Sequence, residues 1–366
     1  MVYVSFNDGE YWQPLRLNMP ASSIRDLVIK GNDLVVATHG RSFWILDDIA
    51  ALRNLAKIKD ANQTTLYQIG QFYRVRWNMN TDTPLPQEEP AGQNPPDGAI
   101  IDYYLKDNVK AVISLEILDT GGKLVRVYKS DDKPYDVPPV NIPLYWIRPQ
   151  QVLSTEKGSH RFIWDLHTQP LDLPPGYPIA AIYGETAPVP TSPWVMPGNY
   201  TIKLTVDGKS YTQPLTVKID PRVKTPLTEL QRQYDLSDKC YRHLKTVMTA
   251  LVKLNSLHEQ ITKLLPNASG DLAVALKKAD ADVLKVENGT AGNKAESFNS
   301  LRSSLGGLMN LLQESEMPVT TQAAAAVSQA DSYFNNLNLK YNELTGTGLK
   351  ALNEQLARAG TGKISL

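Results

Sequence analysis

The segment Leu34-Val35-Val36-Ala37-Thr38-His39-Gly40-Arg41-Ser42-Phe43-Trp44-Ile45-Leu46-Asp47-Asp48 carries the clearest fold signal in this sequence. Two runs rich in β-branched and aromatic residues, 34–38 and 42–46, stand on either side of Gly40-Arg41. Such runs separated by a short glycine turn predict two adjacent antiparallel strands. The run at 24–30, followed by Gly31-Asn32-Asp33, predicts one more strand of the same meander.

A second turn signal lies upstream, at Ser5-Phe6-Asn7-Asp8-Gly9-Glu10-Tyr11-Trp12. It fits the Asp-box pattern Ser-x-Asp-x-Gly-x-x-Trp, with Asn7 in the Asp position. In such a turn the Asx side chain bonds backbone N–H groups, glycine supplies a positive φ, and the aromatic ring packs beneath. We therefore assign Ser5, Asn7, Gly9 and Trp12 a structural role in the turn.

Residues 60–221 also carry strand signals, in runs at 66–77, 99–106, 111–118, 124–128, 160–166, 198–206 and 211–219. Turn signatures at 119–123 and 207–209 separate alternating runs. Short strands at this spacing predict an immunoglobulin-like β-sandwich. Of the 25 prolines, 18 fall between positions 84 and 197. They predict long loops at 84–96, 134–149 and 170–197, because proline cannot sit in a central strand.

Beyond Asp220-Pro221 the apolar period changes from 2 to 3.6, and Thr225-Pro226 is a good helix start. Three long amphipathic helices are predicted within 225–358, packed as an antiparallel bundle. The stretch 267–293, with glycines near both ends, predicts a weaker helix between loops. The three apolar stripes are Tyr234, Tyr241, Leu244, Met248, Leu251, His258, Ile261 and Leu265; Phe298, Leu301, Leu305, Leu308 and Leu312; and Ala323, Val327, Ala330, Phe334, Leu337, Tyr341 and Leu344.

The order of these segments resembles the C-terminal part of a bacterial family of large Asp-box (BNR-repeat) β-propeller proteins, commonly labelled sortilin-like or glycosyl-hydrolase-like. The matching blocks are 37–48, Asn94-Pro95-Pro96-Asp97-Gly98-Ala99, Pro197-Gly198-Asn199-Tyr200-Thr201 and Val217-Lys218-Ile219-Asp220-Pro221-Arg222. The resemblance implies that residues 1–50 are the last blade and a half of a propeller, with three strands of one blade at 24–47. It also implies a longer parent protein that holds the remaining blades and is exported, to the periplasm or beyond.

The bulk composition excludes several classes of function. The chain has 366 residues with 38 basic and 38 acidic side chains, so a basic nucleic-acid footprint is not expected. No apolar run is long enough to predict a membrane span, and the first twenty residues carry no signal-peptide pattern. The single cysteine, Cys240, excludes a disulfide framework and a cysteine-rich metal site. No cofactor-binding motif is present, and the five histidines show no metal-ligand spacing.

The sequence assigns no catalytic residue. Sialidase chemistry needs groups from several blades, and a glycosidase needs two carboxyl groups across a cleft. Asp47 and Asp48 form the only carboxylate pair in the blade, but adjacent strand residues point to opposite faces. We therefore favour a structural role for both aspartates.

Two groups of residues are candidates for ligand binding. His39 and Arg41 could contact an anionic ligand at the turn, although Arg41 paired with a neighbouring carboxylate is the favoured alternative. Trp146, Tyr177 and Trp194, in the proline-rich loops, could stack on sugar rings, although docking of these loops onto a neighbouring domain is favoured.

The domain organisation predicted is a partial propeller at 1–50, an immunoglobulin-like sandwich at 60–221 and a helical bundle at 225–358. The predicted role is a non-catalytic structural or interaction region that binds a protein or a glycan. The alternative is a fragment of a glycoside hydrolase whose catalytic blades lie upstream of this chain.

Overall fold

The computed structural model describes residues 1–55, 63–76, 92, 94–177 and 186–366. The chain is built of β-sheets as far as Ile219 and of helices from Leu227 onward, with one short helix among the strands. The predicted order of β structure followed by α structure is confirmed. Across the described residues no sheet closes into a barrel or a propeller. Most of the predicted loop at 84–96 lies outside these residues, as does the end of the predicted strand at Trp77.

The N-terminal part contains two small antiparallel sheets. The first pairs β1 (Tyr3–Val4) with β2 (Gln13–Pro14). The second has the order β3-β4-β5, from Ile24–Lys30, Asp33–Thr38 and Phe43–Leu46, and a short helix, α1 (Ala50–Leu55), follows it. A small core joins them, formed by Val2, Met19, Leu34, Val36 and Ile49.

Two larger sheets follow. Their strands are β6 (Thr65–Leu66), β7 (Gln71–Arg74), β8 (Ala99–Leu105), β9 (Ser114–Leu118), β10 (Leu124–Lys129), β11 (Gly158–Trp164), β12 (Gly198–Val206) and β13 (Lys209–Ile219). One sheet has the order β10-β9-β12-β13-β7 and is antiparallel except for the parallel pair β13 and β7. The other has the order β11-β8-β6 and is antiparallel throughout.

The apolar faces of these two sheets meet. Trp164 of β11 packs against Tyr200 of β12, with ring centroids 5.5 Å apart and planes at 71°. Tyr128 of β10 packs against Phe162 of β11 at 4.6 Å. Edge-to-face contacts of this kind add to the stabilisation from burial. Aromatic residues of the alternating strands therefore pack in the core between the two sheets, together with buried aliphatic residues such as Ile101 and Ile202.

The predicted continuous strand over 66–77 is wrong. Residues 65–66 and 71–74 belong to different sheets, β6 beside β8 and β7 beside β13. The intervening Tyr67 and Ile69 are buried, but they belong to neither strand. A run of apolar residues does not distinguish one long strand from two short strands that change sheets.

The helical part contains α2 (Leu227–Leu264), α3 (Gly270–Asn288), α4 (Phe298–Gln313), α5 (Thr321–Glu343) and α6 (Leu349–Arg358). One π-helical turn, Leu344–Gly348, joins α5 to α6. Thr320 caps α5 by accepting the N–H of Ala323 at 3.1 Å. The predicted weak helix at 267–293 is the 19-residue helix α3.

The buried stripe of α2 lies one position away from the predicted one. The buried residues include Gln233, Cys240, Val247 and Leu254, whereas predicted seam residues such as Tyr241 are only half-buried. Leu244 and Ile261 are buried as predicted. At the other positions the prediction is wrong because it followed the largest apolar side chains around the helix. Small residues form much of the true stripe, since close helix packing leaves room for them.

The chain divides into two compact units. The first comprises residues 1–189 and 195–223, and the second comprises residues 190–194 and 224–366. The separation of 1–50 from 60–221 as domains stays a prediction. No helix in the described ranges combines the length and the apolarity that a membrane crossing requires.

Candidate functional site

The turn at residues 5–12 is built from side-chain oxygens that accept backbone hydrogens. Ser5 Oγ accepts the N–H of Gly9 at 2.8 Å, and Asn7 Oδ1 accepts the N–H of Tyr11 at 3.0 Å. Gly9 has φ +92° and lies over the ring of Trp12, 3.7 Å from the position a Cβ would occupy. Through these contacts, Ser5, Asn7, Gly9 and Trp12 stabilise the turn.

The His39-Gly40-Arg41 turn uses its main chain for structure and exposes its side chains. Thr38 Oγ1 donates to Ser42 O at 2.7 Å and accepts the N–H of Arg41 at 3.1 Å. His39 and Arg41 are both exposed. Within the described residues, no hydrogen bond or ion pair involves the His39 ring or the Arg41 guanidinium, so the favoured carboxylate pairing of Arg41 is not seen.

Two strands of the β3-β4-β5 sheet, β4 and β5, carry apolar residues on both faces, whereas β3 also carries Asp26 and Lys30. Leu34 and Val36 of β4 point into the small core and are 7% and 5% exposed. On the opposite face, Phe43 and Ile45 of β5 are 71% and 59% exposed. Val28 of β3, which pairs with Val35 of β4, is on that face too and is 55% exposed. We call Val28, Val35, Phe43 and Ile45 the outer face.

The sequence contained a signal for this outer face. Phe43-Trp44-Ile45-Leu46 is apolar at every position, so it lacks the polar alternation of a strand with one wet side. Continuous apolar strands are typical of sheets covered on both faces. A monomeric sheet that exposes several such side chains together marks an interaction site.

A polar junction joins the end of β5 to the larger sheets. Arg161 of β11 forms a two-pronged ion pair with Asp102 of β8, with Nε to Oδ1 at 2.9 Å and Nη2 to Oδ2 at 3.0 Å. The same guanidinium donates to the main-chain oxygens of Asp47 at 2.7 Å and Asp48 at 2.9 Å. The geometry is the fork that arginine favours, and it satisfies the last carbonyls of the meander.

Sequence analysis missed Arg161. The residue lies in a predicted strand, and its partners are 59 and about 113 residues away along the chain. No local pattern carries such a contact. The charged pair across β8 and β11 could be found only once their register is known, because Asp102 stands opposite Arg161 in that pairing.

The main-chain oxygen of Asp47 and the carboxylate of Asp48 both make structural contacts. Asp48 Oδ1 accepts the N–H of Ala50 at 3.0 Å at the start of α1. Burial raises the pKa of Asp48, and burial together with the charge of Asp33 raises the pKa of Asp47. A raised carboxyl pKa suits a general acid, but the second carboxyl of a glycosidase must face it across a cleft. The Asp48 side chain instead faces the backbone of its own helix.

The predicted aromatic residues are divided between the two units. Trp146 lies in a short 3-10 turn, Leu144–Trp146, where it is half-buried and packs edge-on against Tyr145 at 6.4 Å. Its main-chain oxygen accepts the N–H of Thr186. Tyr145 itself is 61% exposed.

The other two aromatic residues are more enclosed. Tyr177 is half-buried beside Tyr135. Burial, and secondly the nearby Tyr177, raises the pKa of Tyr135 to about 12. Trp194 belongs to the helical unit, where its main-chain N–H donates to Gln313 Oε1 of α4. The aromatic residue at 183 lies outside the described residues.

The histidines and the cysteine show no catalytic arrangement. Searches of the described ranges reveal no cluster of His, Cys, Asp and Glu that could hold a metal ion. His243 Nε2 contacts Asp331 Oδ1 at 2.6 Å, and its ring stacks on Phe334 at 3.8 Å. Cys240 is fully buried, and burial raises the pKa of its thiol to about 11, opposite to the shift of a nucleophile.

A shallow cavity of about 290 Å³ lies beside β6 and β13. It is lined by Asn54, Thr65, Leu66, Tyr67, Gln68, Gln213 and Pro214. None of these side chains is an acid or a base with a pKa near neutrality. The cavity therefore lacks the pair of carboxyl groups that glycoside hydrolysis requires.

Comparison of the chain with protein-family models, with curated protein sequences and with solved structures finds no match.

Proposed function

We propose that this chain is the non-catalytic structural and interaction region of an exported Asp-box propeller protein. The observation that carries the proposal is the outer face of β3-β4-β5. Its side chains Val28, Phe43 and Ile45 are more than half exposed, and β4 and β5 carry apolar residues on both sides. A blade of a propeller packs against a neighbour on each face, so this pattern is the one a blade requires.

The finer architecture belongs to the same proposal. The meander at 24–47 is taken as three strands of a blade, and the turn at 5–12 as the Asp-box of the blade before it. The contacts of Trp164 with Tyr200 and of Tyr128 with Phe162 support an immunoglobulin-like sandwich of the two larger sheets. The helices from α2 to α6 are taken as an antiparallel bundle with short connections.

The proposed partner of the outer face is the remaining set of propeller blades. The junction at Arg161 supports this assignment, because it anchors the meander from one end and leaves the outer face uncovered. An apolar face that is held in place but not buried is suited to receive another sheet. A protein or glycan ligand would then contact the exposed side chains of His39, Arg41 and Tyr145 on the loops.

The glycoside hydrolase alternative gains no supporting geometry from the residues that the structure describes. Asp48 caps α1, and the cavity beside β6 carries no carboxyl group. A panel of aryl glycosides tests the point directly. We expect no turnover by this chain; turnover that Asp47→Asn removes would establish the alternative.

A cysteine-labelling experiment tests the interaction role. Cys240 is fully buried, so an introduced surface cysteine is the reactive one. We expect Ile45→Cys to react quickly with a thiol reagent in this chain, and to become protected when the protein is produced with the coding sequence that precedes it. Lys218→Cys, exposed on β13, is the matched control and keeps its rate. Equal rates at Ile45→Cys in the two proteins would contradict the proposal.

A further inference from the structure

The segment 361–366 lies along the helices as a bound peptide does. It leaves the end of α6, and two amide side chains hold its main chain. Asn353 of α6 accepts the N–H of Ile364 at 2.8 Å and donates to the Ile364 carbonyl at 2.9 Å. Gln260 of α2 does the same for Ser365, at 3.1 Å and 2.7 Å. Two consecutive residues are thus bound through both of their backbone groups.

The side chains of the segment show which residue is selected. Ile364 is 1% exposed, whereas its neighbours Lys363 and Ser365 are exposed. Leu366 is 48% exposed although it is as apolar as Ile364. One enclosed aliphatic side chain between exposed neighbours is the pattern of an extended peptide whose anchor fills a pocket.

We propose that Asn353, Gln260 and the pocket that encloses Ile364 form a peptide-binding site, which the segment 361–366 occupies in cis. Its ligand in trans is an extended peptide with an aliphatic residue followed by a small polar residue. The amide groups select an extended main chain, because each bonds the N–H and the C=O of one residue. The pocket selects the aliphatic side chain. The inference does not depend on the proposed function of the β-sheet region.

The segment is attached in a way that permits exchange. Gly360 and Gly362 lie between α6 and Ile364, and Gly360 has φ +67°. Thr361 stays at the end of α6, where its N–H and its Oγ1 both donate to the Leu356 carbonyl at 3.0 Å, so the part of the segment that can exchange begins at Gly362. An occupant in cis competes with any ligand in trans through its high effective concentration. The site is therefore closed to weak ligands until the segment is displaced.

The test uses the full chain and a fluorescent peptide with the sequence of residues 359–366, amidated at its end. Ile364→Asp should release the segment and open the site. We expect this variant to bind the peptide saturably, and the unaltered chain to bind it at least about tenfold more weakly because of competition in cis. Leu366→Asp places the same charge two residues away at an exposed position, and should behave like the unaltered chain.

Two further measurements separate binding from misfolding. Adding Asn353→Ala to Ile364→Asp should weaken peptide binding by about tenfold or more, since the main-chain contacts are lost. In the unaltered chain, excess peptide should speed amide hydrogen exchange at Ile364 and Ser365 in the tethered segment. A folded Ile364→Asp variant that binds no peptide would overturn the proposal, and so would exchange rates that the peptide leaves unchanged.

Discussion

The β3-β4-β5 sheet and the five-stranded sheet are built from similar strands but differ in the side chains that they expose. In β12, Ile202 and Leu204 are fully buried, and the residues that alternate with them, Thr201 and Lys203, are polar. In β5, both alternating sets are apolar, and Phe43 and Ile45 stay exposed. The five-stranded sheet therefore presents polar side chains of β12 on the face opposite its core. The β3-β4-β5 sheet instead exposes apolar side chains of the kind that are normally covered by another layer of structure.

The two sheets also differ in how they are held. Ile117, Ile202 and Leu204 of the five-stranded sheet have no exposed surface, so packing carries its stability. The best-buried residues of the small sheet, Leu34 and Val36, retain some exposure. Its link to the rest of the unit includes the charged junction at Arg161. The small sheet should therefore depend more on polar contacts.

The largest expected effect contrasts one residue type in the two sheets. Ile202→Ala empties a fully enclosed position and should lower the free energy of unfolding by about 3 kcal/mol. Ile45→Ala removes a side chain that is 59% exposed and should cost less than about 1 kcal/mol. Urea unfolding of the three proteins measures both values. Equal losses would mean that the outer face is covered in solution, for instance by self-association.

The junction gives the next effect. Arg161→Ala removes charge-assisted hydrogen bonds to Asp102 and to two carbonyls, and should cost about 2 kcal/mol. The amide hydrogens of Val35 and Val36 should exchange faster in this variant. Arg222→Ala, which removes an arginine whose side chain is 78% exposed, is the control and should cost less than Arg161→Ala. Unchanged exchange in β4 would show that apolar packing alone holds the small sheet.

The aspartates that follow the two sheets should respond to pH in opposite directions. Burial raises the pKa of Asp48 in the folded state, so stability should rise as pH falls from that raised value toward about 4. Hydrogen bonds from Arg222 lower the pKa of Asp220, so its contribution is present above about pH 4 and is lost as pH falls through the lowered value.

Variants isolate these two contributions. Asp48→Asn should remove the gain at low pH, and Asp220→Asn should remove the loss. The measurement is the free energy of unfolding between pH 3 and 7 for each variant and the unaltered chain. Curves that shift in the same direction for both variants would contradict the assignment.

The smallest expected effect compares the hairpin turns. Gly31 between β3 and β4 has φ +64°, and Gly208 between β12 and β13 has φ +76°, with open space around both. Alanine at either position should cost about 1 kcal/mol because its Cβ strains a left-handed backbone. Both losses should appear in one unfolding transition. A loss for Gly208→Ala alone would show that the small sheet unfolds separately from the rest of the unit.

The parts of the fold that could be predicted are those that depend on residues close together in the sequence. The hairpin of β12 and β13 follows from Asp207-Gly208 and the alternation around it, and its register pairs Val206 with Lys209. Pro214 sits inside β13, yet β7 pairs only from Thr216 onward, so the missing proline donor faces no partner strand there. The helix start predicted at Thr225-Pro226 likewise lies directly before the first residue of α2, Leu227.

Contacts between distant residues account for what sequence analysis missed. The division of 66–77 between two sheets depends on where β8 and β13 lie, and no residue within that run specifies it. The buried stripe of α2 differs from the predicted one because the burial of Cys240 and Ala250 depends on packing against the neighbouring helices. The amide contacts of Asn353 and Gln260 depend on a chain end that returns to the helices. Each is a property of packing, which local pattern does not carry.

Arg161 binds main-chain oxygens at positions 47 and 48, and every amino acid supplies those oxygens. Substitution at Asp47 therefore requires no compensating change at Arg161, whereas substitution at Asp102 does. Across natural variants of this protein, positions 102 and 161 should change together while position 47 drifts independently of them. A search for co-varying positions would then miss the contact that joins the meander to the larger sheets.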